Sequence, residues 1–131
     1  MKMNDILSNV IIINGIYDIL CAISILKIVD IPVIKDLHLS MFTTMFTNML
    51  KKRDNSEDLE RFFAYWIFTY GIIRIYSGYY KKYGLAEISY YIEAVFIMNE
   101  SFINGTMKID RSIFVIVFSL FLGILCEFSR N

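Results

Sequence analysis

Residues that break helices are scarce in this 131-residue chain, which has one proline and six glycines. Their scarcity favours long helices, because proline removes a backbone donor and glycine costs the most entropy on ordering. There are also only two cysteines, Cys21 and Cys126, and both fall inside apolar segments. This usage argues against a disulfide framework and indicates that the two thiols serve as small hydrophobic side chains.

The chain also has a single histidine and no net charge. His38 is the only histidine, and Asp36 is its only nearby candidate co-ligand, so we expect no metal site. The 13 basic and 13 acidic residues cancel, which argues against nucleic-acid binding, since nucleic-acid-binding proteins concentrate lysine and arginine. No Ser-His-Asp arrangement, glycine-rich phosphate loop or HExxH pattern occurs. We therefore expect no catalytic residue, no enzymatic activity and no cofactor.

Apolar residues are abundant: they make up 56% of the chain, and the mean hydropathy is +0.52. A helix needs about 20 residues to cross ~30 Å of hydrocarbon. Four segments approach that length, at about residues 6–28, 59–80, 85–104 and 112–128. We therefore predict a single transmembrane domain over residues 1–131, with an all-α fold: an integral membrane four-helix bundle.

An additional amphipathic helix is predicted between the first two spans, over about residues 36–52. Leu37, Met41 and Met45 recur there at helical spacing, and the segment ends in the basic Lys51-Lys52-Arg53. Such a helix either lies in the membrane interface with its basic end near anionic headgroups or packs on the end of the bundle. Pro32 follows the first span and is expected to end it.

Polar residues interrupt the predicted spans at a few positions. Asn14 and Asp18 share a face of the first span, Arg74 lies inside the second, and Glu93 and Glu100 share a face of the third. Charges within a membrane are costly, so they are usually paired or functional. One hypothesis is a structural ion-pair network in which Arg74 bridges Asp18 and one glutamate. The other is a path for protons or polar substrates, which four short helices have little volume to enclose.

Small residues mark two predicted helix-packing faces. Gly71 and Gly78 lie on the same face as Arg74, and Ser119 and Gly123 form a small-x3-small pair in the last span. Small side chains let helix backbones approach closely within a membrane. We expect other helices to pack against these two faces.

The second span carries a longer pattern, R-x-F-x-x-W-x-F-x-x-x-x-I-R-x-Y-x-x-x-Y. Its members are Arg61, Phe63, Trp66, Phe68, Ile73, Arg74, Tyr76 and Tyr80. The pattern resembles the second conserved segment of the ergosterol-biosynthesis protein 28 family, mainly over residues 61–100. That resemblance implies a small four-span protein of the endoplasmic reticulum, without catalytic activity, that tethers sterol C4-demethylation enzymes. It also matches Glu100 to a family glutamate near the end of the third span.

These observations predict a non-enzymatic, multi-pass membrane scaffold or adaptor. Its partners would be the lipid bilayer and other membrane proteins, with a homo-oligomer as an open alternative. Its location would be the endoplasmic reticulum or a virus-associated internal membrane. One alternative is a structural membrane protein of a virus particle or organelle. A second is a small transporter or channel subunit that uses the charges inside its spans.

Overall fold

The chain forms five helices across the residues that its computed structural model describes, which are 3–42 and 56–130. The helices are α1 (Met3–Ile25), α2 (Pro32–Leu39), α3 (Ser56–Tyr80), α4 (Tyr83–Met98) and α5 (Ile109–Arg130). A π-helical turn, Asn99–Ile103, extends α4. Within the described ranges the β-structure amounts to one isolated bridge between Phe42 and Met107. The predicted all-α class is therefore confirmed.

Two of these helices, α1 and α5, are long and apolar enough to cross a membrane. Helix α3 is longer, with 25 residues, but it begins with the acidic Glu57 and Asp58 and contains Arg74. Helix α4 has 16 residues and includes Glu87 and Glu93. Length and composition thus support two spans where the sequence predicted four, and the four-span topology stays a prediction.

Helices α1 and α3 pack antiparallel with their backbones in direct contact. A Cβ atom on Gly71 would lie 2.8 Å from the carbonyl oxygen of Gly15, and one on Gly78 would lie 2.8 Å from that of Ser8. No larger side chain fits at these two glycines without separating the helices. The contact brings the face of α3 that carries Arg74 against α1.

Helices α4 and α5 form the second close antiparallel pair. At one end the hydroxyl of Ser101 donates to that of Ser112 at 2.6 Å, and at the other the Tyr91 hydroxyl donates to Glu127 at 2.9 Å. The Tyr91 ring also lies over Gly123, where a Cβ would come within 2.8 Å of it. Helices α3 and α4 join the two pairs, whereas α1 and α5 make few contacts and leave a groove between them.

The chain between α1 and α3 differs from the sequence expectation. Pro32 does not end α1, which stops at Ile25 before Lys27 adopts a left-handed φ of 61°. Instead Pro32 opens α2, because its fixed φ and missing N–H suit the first helical turn. Among the described residues, α2 shares residues 36–39 with the amphipathic helix predicted over about residues 36–52.

Residues 40–42 turn away from the helical path because they bind the loop before α5. The carbonyl oxygen of Met41 accepts a hydrogen bond from the Lys108 N–H at 2.6 Å, and Phe42 forms the bridge to Met107. The side chains of Met41 and Met107 are buried together in one core cluster. The rest of the predicted amphipathic helix, including Lys51-Lys52-Arg53, lies outside the described residues.

The surface of the four long helices is apolar, while several polar side chains are buried. Large hydrophobic residues are exposed on every one of these helices, including Ile6, Ile13, Ile16, Phe62, Phe68, Ile72, Ile88, Ile92, Val95, Phe114, Val117 and Phe121. Asp18 and Arg74 are buried instead. Cys21 and Cys126 are both free and buried, and they belong to different core clusters.

The contact between α1 and α3 can be tested with a pair of glycine substitutions. We expect Gly71→Ala to destabilise the protein by about 1–3 kcal/mol, because the new methyl group overpacks against backbone atoms of α1. Gly84→Ala is the matched control, since its Cβ would meet only the Arg130 side chain, at 3.4 Å. Thermal unfolding in mild detergent measures both. Equal melting temperatures for the two variants would contradict the close contact.

Candidate functional site: a buried ion-pair cluster beside a lateral groove

The most distinctive group in the interior is the guanidinium of Arg74, which is 1% exposed. Its Nη1 donates to Oδ2 of Asp18 at 2.7 Å, its Nη2 donates to Oε2 of Glu93, and its Nε donates to Oγ of Ser89 at 3.3 Å. Each nitrogen of the guanidinium therefore has an acceptor. These bonds tie α3 to both α1 and α4.

Three further side chains complete this site. The Ser119 hydroxyl donates to Oε2 of Glu93 at 3.1 Å, which brings in α5. The Tyr90 ring lies 4.1 Å from the guanidinium carbon, within cation–π range, and its hydroxyl donates to Oδ1 of Asn14 at 2.8 Å. We call this set the Arg74 cluster: Asn14, Asp18, Arg74, Ser89, Tyr90, Glu93 and Ser119. It draws on all four long helices.

The electrostatics of the cluster explain why its members must stay together. A buried ion pair gives little net stability, because the desolvation of both charges offsets their attraction. Removing one partner leaves an uncompensated charge and costs about 3–5 kcal/mol. Here two carboxylates, Asp18 and Glu93, share the single cation Arg74. Arg74 is thus the cation on which both the buried Asp18 and the partly buried Glu93 depend.

The structure brings Asn14, Asp18, Arg74 and Glu93 together and places Glu100 elsewhere. Glu100 lies in the π-helical turn, where its carboxylate accepts hydrogen bonds from the Asn104 amide at 2.9 Å and from the Thr106 hydroxyl. It follows Glu93 by seven residues, about 10 Å along a helix, and the widened turn aims it at the loop before α5. Glu100 therefore holds this loop and makes no contact with Arg74.

Sequence reasoning did not identify Ser89 or Tyr90 as members of the cluster. A signal was available, because Ser89 precedes Glu93 by four residues and Tyr90 precedes it by three, so all three share a face. Ser119 was expected only to pack helices, yet it is also a hydrogen-bond donor. Serine and tyrosine are common in membrane helices, so their spacing alone was a weak signal.

The remaining residues of the family-like pattern lie at two kinds of position. Phe63 and Trp66 pack between elements, with ring centroids 5.2 Å from Phe42 and 5.6 Å from Phe96, respectively. Arg61, Tyr76 and Tyr80 are exposed. Arg61 pairs with Asp58 at 2.5 Å, and the ring centroids of Tyr76 and Tyr80 are 4.7 Å apart. The exposed members are available to contact another molecule.

Beside the cluster, the space between α1 and α5 forms a lateral groove of about 480 Å³. Its apolar walls are Val10 and Ile13 on one side and Phe114 and Phe118 on the other, and α2 covers one end. Members of the Arg74 cluster form its floor. The groove therefore combines an apolar entrance with a charged, hydrogen-bonding interior.

An all-α fold with an apolar exterior and charges gathered in its interior has the side-chain distribution of a membrane protein. The chain belongs to the Erg28 like protein family, whose sequence model matches residues 16–124, most of the chain. This match confirms the resemblance seen in the sequence. In general the family is one of membrane scaffolds in sterol biosynthesis, at the endoplasmic reticulum. Comparisons with curated proteins and with solved structures gave no match.

The dependence of the fold on Arg74 can be measured against a second arginine of the same helix. We expect Arg74→Leu to cost about 3–5 kcal/mol, because Asp18 and Glu93 lose their shared cation. Arg61→Leu removes only an exposed pair with Asp58 and should cost less than about 1 kcal/mol. Both variants are compared with the native protein by thermal unfolding in detergent. Equal yields and equal melting temperatures would show that the Arg74 cluster does not hold the bundle together.

His38 lies on α2, between the groove and a smaller inner cavity. Its Nδ1 is 3.2 Å from the carbonyl oxygen of Ile34, and because a carbonyl only accepts, Nδ1 carries the proton. Burial lowers the pKa of the His38 imidazole below its usual value of 6.5, and the Ile34 hydrogen bond and the negative charge of Glu93 offset part of this effect. His38 is therefore neutral near pH 7.

This lowered pKa predicts a loss of stability in mild acid. The unfolded chain protonates His38 near pH 6.5 and the folded chain does so at lower pH, so the unfolded state binds more protons between these two values. The contribution of His38 to stability is thus fully present above pH 6.5 and declines as the pH falls below it. We expect melting temperatures between pH 7.5 and 5.5 to fall less in His38→Gln than in the native protein. If the melting temperatures of the two proteins fall equally with pH, the acid sensitivity comes from groups other than His38.

Proposed function

We propose that this protein is a four-span scaffold of the endoplasmic reticulum membrane that holds sterol-synthesis enzymes beside one another and catalyses no reaction itself. Family membership supports the sterol context. The observation that carries the proposal is the Arg74 cluster, in which ion pairs and hydrogen bonds join the four long helices. Such a bundle is suited to present a fixed apolar surface to other membrane proteins.

The lengths and faces of α3 and α4 support four spans. Helix α3 has 25 residues, and α4 with its π-helical turn covers residues 83–103, so each reaches ~30 Å. Helix α3 is less apolar than α1 because it contains polar residues such as Arg74, which points into the bundle, whereas α4 without its π-helical turn is short. Their outer faces carry Phe68, Ile72 and Ile92, which are exposed and apolar.

Transport receives less support from the same geometry. A path for protons or polar substrates needs ionisable groups that are open to passing molecules. Arg74 is held in ion pairs by both Asp18 and Glu93, so its charge is already matched within the protein. The family match supports sterol biosynthesis and lends nothing to the alternative of a virus-particle protein.

The exposed tyrosines of the family-like pattern are the best candidates for a partner-binding surface. Tyr76 and Tyr80 lie on the outer face of α3, and the Tyr79 ring contacts that of Tyr80 with centroids 4.9 Å apart. Tyrosine is enriched at protein interfaces because it combines a large apolar surface with a hydroxyl. We define these three residues as the tyrosine surface.

Co-purification from the native membrane tests the scaffold and its binding surface together. We expect the tagged full chain, extracted in mild detergent, to bring sterol-modifying enzymes with it, as identified by mass spectrometry. The double variant Tyr76→Ala/Tyr80→Ala should lower their recovery at least fivefold while the melting temperature stays within a few degrees, because both side chains are outside the core.

The matched control is Phe62→Ala/Tyr65→Ala, an exposed aromatic pair on the same helix that lies outside the family-like pattern. It should leave the recovery unchanged. Enzymes that co-purify equally with both variants would reject the tyrosine surface and keep the scaffold. Capsid or coat proteins in the eluate, or a homo-oligomer alone, would reject the scaffold itself.

A further inference from the structure

The lateral groove has the dimensions and position of a ligand site. Its volume of about 480 Å³ falls within the ~300–1,000 Å³ of small-molecule pockets. The residues at its edges, such as Ile13 and Phe114, are exposed and apolar. In a bundle that spans a membrane, such an opening faces the hydrocarbon, so a molecule dissolved in the bilayer can enter from the side.

The inner end of the groove offers acceptors that the protein does not use. Arg74 binds Oδ2 of Asp18 and Oε2 of Glu93. The described residues provide no hydrogen bond to the second oxygen of either carboxylate. Nε2 of His38 is a further acceptor, because Nδ1 donates to Ile34. Around Arg74 the two carboxylates outnumber the guanidinium, and Arg111 adds a second positive charge to the lining of the groove.

The groove also adjoins an unused donor. An inner cavity of about 40 Å³ shares Asp18, Met41, Val115, His38 and Glu93 with the groove and is lined by Tyr70. Tyr70 is 7% exposed, and its hydroxyl donates to no described residue, since the neighbouring Trp66 ring N–H can itself only donate. A buried donor without an acceptor costs about 1–3 kcal/mol. A ligand that accepts a hydrogen bond would remove this cost.

We infer that the lateral groove binds a neutral membrane lipid alcohol, with the hydroxyl group in the inner cavity and the apolar body between α1 and α5. A hydroxyl both donates and accepts, so it matches the free carboxylate oxygens and the Tyr70 hydroxyl together. An ionised carboxylate has no proton to donate to the free oxygens of Asp18 and Glu93. An ammonium group cannot accept from Tyr70. Sterols and acylglycerols share the required chemistry.

This ligand site goes beyond the scaffold role: it rests on the proposed membrane-spanning bundle but not on partner binding, because it concerns the interior of the bundle rather than the tyrosine surface. Trp66, the only tryptophan of the chain, lines the inner cavity and reports on its occupancy. The full chain is reconstituted in phosphatidylcholine nanodiscs and titrated with dehydroergosterol, which accepts energy from tryptophan. A parallel titration uses a brominated monoacylglycerol, which quenches tryptophan fluorescence.

A saturable response to either alcohol supports the site, and the one that responds identifies the class of lipid. The O-methyl ether of the responding lipid should bind at least tenfold more weakly, because it loses the donor. A response that rises only in proportion to lipid content, an ether that binds as well as the alcohol, or stronger competition by oleate or sphingosine would each overturn the inference.

Two pairs of variants test separately how the lipid hydroxyl group and the apolar body of the lipid contribute to binding. Tyr70→Phe should weaken binding about five- to tenfold without loss of thermal stability, because the removed hydroxyl donates to no described residue. Tyr65→Phe, at an exposed position of the same helix, should change nothing. Val10→Phe narrows one wall and should reduce binding at least tenfold, whereas Val117→Phe, outside the groove, should not. Equal affinities within both pairs would place the lipid elsewhere.

Discussion

The guanidinium of Arg74 is the constraint to which the rest of the bundle conforms. An arginine away from water needs acceptors for its N–H groups, and here they come from Asp18, Glu93 and Ser89. These partners lie on α1 and α4, so the rotation of each helix about its axis is fixed by the side chain it must aim at α3. The glycine contact between α1 and α3 serves the same end, because it brings Asp18 within hydrogen-bond distance of Arg74.

The same constraint accounts for the groove. Asp18 connects α1 to Arg74 on α3, and Ser119 connects α5 to Glu93 on α4. Helices α1 and α5 are therefore bonded to α3 and α4 rather than to each other. The space between α1 and α5 is what this arrangement leaves open. One set of bonds therefore produces both a firm bundle, as the scaffold role requires, and a recess with a polar interior, as the lipid site requires.

Much of the fold could be predicted from the sequence, because hydropathy and the scarcity of helix breakers are local signals. Residues 6–28, 59–80, 85–104 and 112–128 correspond within a few residues to α1, α3, α4 with its π-helical turn, and α5. The candidate site was only partly accessible. A charge inside an apolar segment singles out Arg74, but the choice of Glu93 over Glu100 depends on the register of α3 against α4. The tight connection between Tyr80 and Tyr83 sets this register and places Ser89 and Glu93 beside Arg74. Hydropathy alone does not fix the ends of the helices closely enough to predict it. Pro32 was misread because proline can either follow a helix or begin one.

The short connection between α3 and α4 has a consequence for how the protein enters a membrane during synthesis. Lys81, with a left-handed φ of 52°, reverses the chain within two residues, so the two helices it joins cannot move far apart. By length and composition α1 qualifies as a membrane span, whereas α3 carries Arg74 and α4 has 16 residues. We expect α1 to insert first and the hairpin of α3 and α4 to follow as one unit. Arg74 would then enter a bilayer that already contains its partner Asp18. The order of the helices along the chain would then also be the order of their assembly.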